Sequence, residues 1–380
     1  MFLQIHTLTS YHASLLNRDD AGLAKRIPFG GAERLRISSQ CLKRHWTEWL
    51  RRQVDLPQAV RTRHFFSRVL KPRLIEEGGV PEEKAHELVL LLARELLKTA
   101  GDKDAVDKET LEMKQPALFG KPEADFLLKI LLEAAQREDP KKFLQQTFKE
   151  GKKNFRALCQ QAGIEDPAVG IEGALFGRFV TSDILARVDA PVHVAHAFTT
   201  HRLEAEVDFF TVVDDLAKEE ETGAAHAGDM ELGAGIFYGY VVVDVPLLVS
   251  NLTGCERTKW REQDHESAKI LLEKLIEAIA TVSPGAKLGA TAPYARAEWV
   301  CLEWGESQPR SLANAFLKPV PPSMEASVRA AADYLGRLEG MYGDGGETRV
   351  VSTCHAWPCE QEPVLPLKEA ASRALEGIFQ

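Results

Sequence analysis

The side chains best placed to do chemistry lie in a nine-residue stretch near the beginning of the chain, RISSQCLKR at 36–44. Ser38 or Ser39 can cap a helix that runs on to Arg52, because a serine hydroxyl accepts hydrogen bonds from first-turn amides. The unpaired amides and partial positive charge of a helix N-terminus form an anion site. Lys43 and Arg44 follow one turn later. The stretch therefore predicts a phosphate-binding site.

The segment before this helix supplies further positive charge. Arg18, Lys25 and Arg26 lie in a stretch without periodicity, 18–31, which ends in two glycines and is predicted to be a long irregular loop where backbone can approach a ligand. These cations can close over the same anion as the helix and contact a polymer backbone without reading bases. The alternative is that Arg18 pairs with an adjacent aspartate and that the helix cations are only exposed.

The charge of the chain is segregated. The net charge of the 380 residues is −9, but residues 18–73 contain 14 Lys and Arg against 5 Asp and Glu, which leaves −18 for the remainder. A basic segment in an acidic chain is compatible with a polyanionic partner, whereas net acidity alone argues against one.

Two other kinds of chemistry are weaker in this sequence. Histidines and cysteines cluster twice. Successive strand residues point to opposite faces, so His193 and His196, three positions apart, cannot chelate together, and the second cluster lacks another pair at zinc-finger spacing. Paired aspartates fit loops or helix starts, where carboxylates cap amides. We predict no metal, no cofactor and no catalytic residue. The residues concerned are His193, His196, His201, Cys354, His355, Cys359, Asp19, Asp20, Asp214 and Asp215.

These side chains are positioned by an α+β arrangement. Strands are predicted at 2–11, 192–200, 235–245 and 298–303, with a long hairpin at 202–235. Helices are predicted at 38–52, 81–100, 123–137, 140–162, 264–282 and 323–340. Residues 54–177 thus form a helical insertion, and the sheet is assembled from both ends of the chain. From pattern alone, Phe209 and Phe210 fit a buried strand.

Composition limits the class of protein. Six scattered cysteines do not make a disulfide framework, and no signal peptide or membrane-spanning run is evident. We expect a cytoplasmic protein.

A series of motifs resembles the CasC family, the backbone subunit of the type I-E CRISPR Cascade complex. The motifs are LNRDD at 16–20, FGG at 29–31, RLRISSQCLKR at 34–44, IEGALFGRFVTSD at 171–183, VAHAFTTH at 194–201, DFFTVVDDL at 208–216, GIFY at 235–238, PGAK at 284–287 and SLANAF at 311–316. The resemblance implies an RRM-like (ferredoxin-like) palm with helical fingers and a projecting β-hairpin thumb. It places the palm at 1–54, 193–202 and 236–380, the fingers at 55–192, and the thumb at 203–235.

The resemblance also implies a function. Copies of such a subunit polymerise head to tail along crRNA and present it for pairing with target DNA, together with other Cascade subunits, without catalysing a reaction. A metal-dependent endoribonuclease that processes CRISPR RNA is the alternative. The implied RNA-binding residues are Arg18, Lys25, Ser38, Gln40, Lys43, Arg44, Phe179, Phe209, Phe210, Lys287 and Lys318.

Overall fold

A computed structural model describes residues 1–97, 105–150, 158–159, 162–163, 167, 169–179, 187–212, 226–286, 288–343 and 345–380. Its strands are β1 (Phe2–Ser14), β2 (Arg26–Phe29), β3 (Ala32–Ile37), β4 (Ala59–Thr62), β5 (Ala117–Gly120), β6 (Val192–Val194), β7 (Ala197–Thr199), β8 (Ala205–Val212), β9 (His226–Asp244), β10 (Ala297–Gly305) and β11 (Thr348–Thr353). Its α-helices are α1 (Ser39–Gln53), α2 (Lys71–Glu76), α3 (Glu82–Leu96), α4 (Lys121–Ala135), α5 (Pro140–Glu150), α6 (Gly170–Phe176), α7 (Val245–Thr253), α8 (Glu266–Thr281), α9 (Leu288–Thr291), α10 (Met324–Tyr342) and α11 (Leu367–Ile378). None of the described helices is long and apolar enough to cross a bilayer.

The described residues form two compact units. The first comprises 1–54, 193–244 and 269–380, and the second comprises 55–192 and 245–268. Residues 245–268 thus cluster with the helical segment, whereas the resemblance implied that they belong to the palm. The names palm, fingers and thumb stay predictions, whereas the predicted α+β class is confirmed.

The first unit is built on an antiparallel sheet. Its strand order is β11-β10-β1-β9-β7-β3-β2, and both β6 and β8 pair with β9. Strand β1 lies in the middle, with Leu3 opposite Val243 on one side and opposite Trp304 on the other. Residues Leu3 to Leu8 are all buried, which agrees with the predicted strand buried on both faces.

Helices cover both faces of this sheet. On one face, Leu8 and Trp299 belong to a core cluster with Val328 of α10. On the opposite face, Leu42 and Trp46 of α1 line a small cavity of about 40 Å³ with Ile37 of β3. The apolar stripe of α1 is thereby fixed against the sheet, and the N-terminus of the helix stays beside β3.

The second unit has a helical core of its own. Helices α3, α4 and α5 contribute most of one buried apolar cluster, in which Phe65 stacks on Phe119 with ring centroids 3.8 Å apart. A buried ion pair joins Arg178 to Glu123 at 2.7 Å. Of the predicted helix at 140–162, the structure describes α5 and a few later residues.

The predicted irregular loop at 18–31 was partly wrong, because its second half is strand β2, paired antiparallel with β3. Gly30 and Gly31 form the turn between the two strands, both with positive φ. A Cβ atom on Gly30 would lie only 1.5 Å from the carbonyl oxygen of Leu317. The close backbone approach that the sequence predicted is therefore made to another segment of the chain.

Candidate nucleic-acid interface

The N-terminus of α1 is capped as the sequence predicts. Ser38 has extended backbone angles, φ −71° and ψ 147°, and its hydroxyl accepts a hydrogen bond from the Cys41 amide at 3.3 Å. The Ser38 amide donates in turn to the side-chain oxygen of Asn17 at 2.9 Å. The amides of Ser39 and Gln40 have no carbonyl acceptor within the helix, because no earlier turn of the helix exists. The first turn also has no acidic residue. This helix end presents donors and a partial positive charge.

Three cations lie close to this helix end. The Arg36 amide donates to the Lys25 carbonyl at 2.8 Å, which continues the β2–β3 pairing by one step and places both side chains on the same face. Burial raises the pKa of the Cys41 thiol, and the positive charges of Lys25 and Arg44 oppose that rise. Lys25 and Arg44 are therefore near Cys41 in the first turn of α1.

An open hollow of about 340 Å³ adjoins this group, lined by Asp19, Leu23, Ala24, Lys25, Arg26 and Arg36. Its wall is held by the turn at 19–23, in which the Asp19 carboxylate accepts the amides of Ala21 and Leu23, each at 2.9 Å. Asp19 therefore has the amide-capping role that the sequence favoured over catalysis. The backbone of Lys25 is fixed by its amide, which donates to the Asn17 carbonyl at 2.9 Å.

The predicted contact residues of α1 differ in how available they are. Gln40 and Arg44 are exposed, although Arg44 also pairs with Glu48 one turn on at 3.0 Å. Lys43 is half-buried, and burial lowers the pKa of its ammonium group. Arg18 is exposed, and its backbone bridges to Ala24. The structure thus brings Lys25, Ser38, Gln40 and Arg44 to one place.

The predicted aromatic residues fall in both units. Phe179, in the second unit, is 76% exposed, and the guanidinium of Arg187 lies 5.7 Å from its ring centroid. Phe209, in strand β8 of the first unit, is 67% exposed. The buried strand suggested by pattern alone is therefore wrong for Phe209. Phe210 pairs with Gly228, and its side chain lies outside the described part.

Strand pairing relates Phe209 to the basic segment. In the β8–β9 hairpin, Phe209 is opposite Asp229 and Val207 is opposite Glu231, so these side chains share one face. The buried carboxylate of Glu231 accepts the Ala24 amide at 2.9 Å and pairs with Arg26. The face that exposes Phe209 is therefore the face to which the basic segment is attached.

Of the two remaining predicted lysines, the structure describes Lys318, which is set apart from this group. Lys318 is exposed and directly follows Leu317. The backbone of Leu317 contacts Gly30 in the turn of the β2–β3 hairpin, and Lys25 lies at the other end of that hairpin. Lys287 lies outside the described residues.

Arg36 was missed as a site residue by sequence reasoning, whereas Arg26 was named among the cations that can close over the anion. The alternation Arg34-Leu35-Arg36 directly before the cap was a usable signal, since alternate strand residues share a face. The two arginines nevertheless differ. Arg34 is fully buried, and its guanidinium donates to four backbone carbonyls, those of Thr199, His201 and Phe316 at 2.8–3.1 Å and that of Phe29 at 3.4 Å. Arg36 is only half-buried and lines the hollow.

The metal-site candidates do not converge in the described part of the chain, where no group of three His, Cys, Asp or Glu is placed to hold a metal ion. His201 is buried and accepts the Ile236 amide at 3.1 Å, whereas His355 pairs with Glu298 at 2.8 Å. Asp214 and Asp215 lie outside the described residues.

Comparisons with known proteins cover the whole chain. The model of a protein family described as CT1975-like protein matches residues 3–375. A solved chain of a "CRISPR RNA-guided surveillance complex, pre-nicking" is 25% identical, with a TM-score of 0.77, and the match covers 98% of this chain and 100% of that one. A chain of a "CRISPR RNA-guided surveillance complex" is 21% identical, with a TM-score of 0.61 and full coverage of both chains. No curated protein matches.

Proposed function

The chain belongs to the family of CT1975-like proteins, and from this premise we propose that it is the crRNA-binding backbone subunit of a type I-E CRISPR Cascade complex. The observation that carries the proposal is the convergence of Lys25, Arg36 and Arg44 on the N-terminus of α1. The structural likeness to a chain of an RNA-guided surveillance complex supports an RNA as the bound polyanion.

The geometry favours contact with the sugar-phosphate backbone. Amides of a helix N-terminus and cationic side chains bind phosphate oxygens and carry no base-specific pattern. A guide changes sequence from one complex to the next, so its binding protein must hold the backbone and leave base edges free. The site at α1 meets this requirement.

The β8–β9 hairpin supplies the second element of the proposal. Its exposed Phe209 is on the face attached to the basic segment, where an aromatic ring can stack on a base that leaves the strand. Stacking on an aromatic side chain stabilises single-stranded binding by about 1–3 kcal/mol per base. Exposed Phe179, beside Arg187, is the corresponding aromatic of the second unit.

The partners in this proposal are crRNA, further copies of the chain arranged head to tail, other Cascade subunits, and target DNA that pairs with the guide. The subunit binds and does not catalyse. The endoribonuclease alternative has no metal site among the described residues, and its carboxylates Asp214 and Asp215 lie outside them.

The proposal is tested by binding single-stranded RNA of mixed sequence over a series of salt concentrations. The double variant Lys25→Ala, Arg44→Ala removes two cations without touching the core. Loss of two phosphate contacts should weaken binding by about tenfold or more and reduce the salt slope by about 1.4, at roughly 0.7 per phosphate. Lys368→Ala is the matched control, because α11 packs on β10 and β11 at the other edge of the sheet. Unchanged binding by the double variant would contradict the site.

A cleavage assay separates this function from the alternative. Labelled CRISPR RNA is incubated with the pure protein and Mg²⁺ or Mn²⁺. We expect the RNA to stay intact and bound. Cleavage that the Asp214→Ala variant abolishes would overturn the proposal in favour of the nuclease.

A further inference from the structure

One contact in the basic site joins two groups that can both carry positive charge. The His196 ring, between β6 and β7, has Nδ1 2.6 Å from a terminal nitrogen of Arg36. A guanidinium only donates hydrogen bonds, so Nδ1 must accept and carries no proton. His196 is therefore the neutral tautomer with its proton on Nε2, and a second proton would end the contact.

The surroundings of His196 oppose its protonation in the absence of a ligand. His196 is exposed at the surface, but partial desolvation, then Arg36 of β3, then Lys25 from the preceding loop, hold its pKa below the ordinary value. The carboxylate that lines the hollow beside these cations, Asp19, is turned to its own backbone amides. On the β9 side, the Tyr240 hydroxyl donates to Gln4 at 2.7 Å.

We propose that Arg36 binds a phosphate of the RNA, that neutral His196 is the residue that positions Arg36 at the hollow in the free protein, and that RNA binding draws a proton onto His196, which releases Arg36 to the phosphate. The inference rests on the proposed function, because it names the control of the same site. The free protein holds one neutral imidazole against a guanidinium at the edge of the hollow. A phosphate placed there supplies the negative charge that lets imidazolium and guanidinium coexist.

Because RNA binding and protonation of His196 are thermodynamically linked, the direction in which RNA affinity changes with pH is fixed. An anion beside His196 raises its pKa in the complex above that in the free protein, so binding takes up protons. The affinity for RNA should rise as the pH falls through the pKa of the complex, and level off below the pKa of the free protein. One histidine changes affinity by at most tenfold per pH unit, and we expect a gain of about 3- to 10-fold between about pH 8 and pH 5.5.

The experiment measures the affinity of the full chain for oligouridine RNA at fixed salt across this pH range. The His196→Asn variant keeps an oxygen acceptor for Arg36 but cannot take up a proton, so its affinity should not change with pH. His193→Asn is the matched control, since His193 is an exposed histidine of the neighbouring strand β6. It should retain the wild-type pH response. A wild-type response that persists in His196→Asn would overturn the inference.

A titration of the wild-type protein by NMR of its imidazole nitrogens provides a second measurement, which does not depend on a variant that folds. The pKa of His196 should be higher with oligouridine bound than without it, and equal values would overturn the inference. The two proposals fail separately. RNA binding that is independent of pH contradicts only the role of His196, whereas no RNA binding at any pH contradicts the proposed function and this inference together.

Discussion

Arg34 and Arg36 show how burial gives one residue type two roles. They are two positions apart on β3, yet Arg34 has no exposed surface and donates to four backbone carbonyls, whereas Arg36 lines an open hollow. A buried guanidinium must satisfy its donors within the protein, and a half-exposed one is available to a ligand. The sequence motif contains both arginines without distinguishing them.

Alanine substitutions should separate these two roles. Arg34→Ala removes the donor to four backbone carbonyls, of which that of His201 keeps the Thr199 hydroxyl. At about 1–3 kcal/mol for each buried carbonyl that loses its donor, the free energy of unfolding should fall by about 3 kcal/mol or more. Arg36→Ala should change stability by less than about 1 kcal/mol and weaken RNA binding several-fold. Urea unfolding and RNA titration of both variants check this. Equal losses of stability in the two variants would contradict the different roles assigned to Arg34 and Arg36.

A buried ionic network gives the first unit a defined response to acid. Glu303 is fully buried, accepts from Arg349 at 2.6 Å, and is 3.0 Å from the His6 ring. Burial raises the pKa of Glu303, but the His6 hydrogen bond and the charges of His6, Arg349 and Arg310 outweigh burial and lower the pKa from its ordinary 4.5 to about 2. Its stabilising contribution is therefore complete above about pH 4.5 and is lost as the pH falls toward 2.

The Glu303→Gln substitution tests this contribution. At pH 7 the free energy of unfolding should drop by about 1.5–3 kcal/mol, since Arg349 loses a buried charged partner but keeps Glu339 and Glu362. The difference in stability between wild type and variant should shrink as the pH falls from about 4.5 to about 2. Glu360→Gln, at an exposed carboxylate, is the control and should leave the acid response unchanged. A difference that is constant with pH would contradict the assigned pKa.

At the scale of elements, one residue at the N-terminus of α1, Ser38, contributes both to the stability of the helix and to the proposed phosphate site. Ser38 caps the helix through its hydroxyl, and the same helix end faces the proposed phosphate. Ser38→Ala should lower the free energy of unfolding by about 1 kcal/mol through loss of the cap. Ser38→Asp keeps a capping oxygen and should retain stability, but its negative charge should weaken RNA binding more than Ser38→Ala does. Comparable RNA binding by the two variants would place the phosphate elsewhere.

The β8–β9 hairpin should contribute to RNA binding through its exposed aromatic. Phe209→Ala removes a side chain that is 67% exposed, so the melting temperature should change little. RNA affinity should fall by about 5- to 150-fold, which corresponds to 1–3 kcal/mol of stacking on one base. Tyr342→Ala, at the exposed end of α10, is the control. Wild-type affinity in Phe209→Ala would show that the hairpin does not stack on bases.

The elements that the sequence predicted well are those with a strong period. Helix α1 and its cap, α3, α4, α8 and α10, and strands β1 and β10 are observed close to their predicted bounds. Strand β2 was missed because its four residues contain Pro28 and make no alternating pattern. Strand β11 and α11 were not predicted. The role of Arg36 depends on its contact with His196, 160 residues away, and no local pattern indicates such a contact.

On the scale of the whole molecule, segregated charge predicts how copies assemble. Residues 18–73 carry +9 and the remainder −18, so the acidic surface of one copy can complement the basic segment of the next while that segment also holds RNA. In the proposed head-to-tail arrangement such an interface is heterologous and does not close on itself, so the polymer should grow for as long as RNA is there to bind.

The mass of the assembly should therefore increase in proportion to RNA length. Light scattering after size exclusion, with single-stranded RNAs of increasing length, measures this mass. Protein without RNA should remain small, because exposed charge pairs between two copies are weak on their own, whereas one RNA strand holds neighbouring copies together. Raising the salt concentration should release both RNA and neighbouring copies, since exposed charges are screened over about 8 Å at physiological salt and over less at higher salt. The double variant Lys25→Ala, Arg44→Ala distinguishes assembly on an RNA template from assembly through protein contacts alone. If RNA is the template, that variant should lose the dependence on RNA length, whereas oligomers of one fixed size with or without RNA would show that protein contacts alone set the assembly.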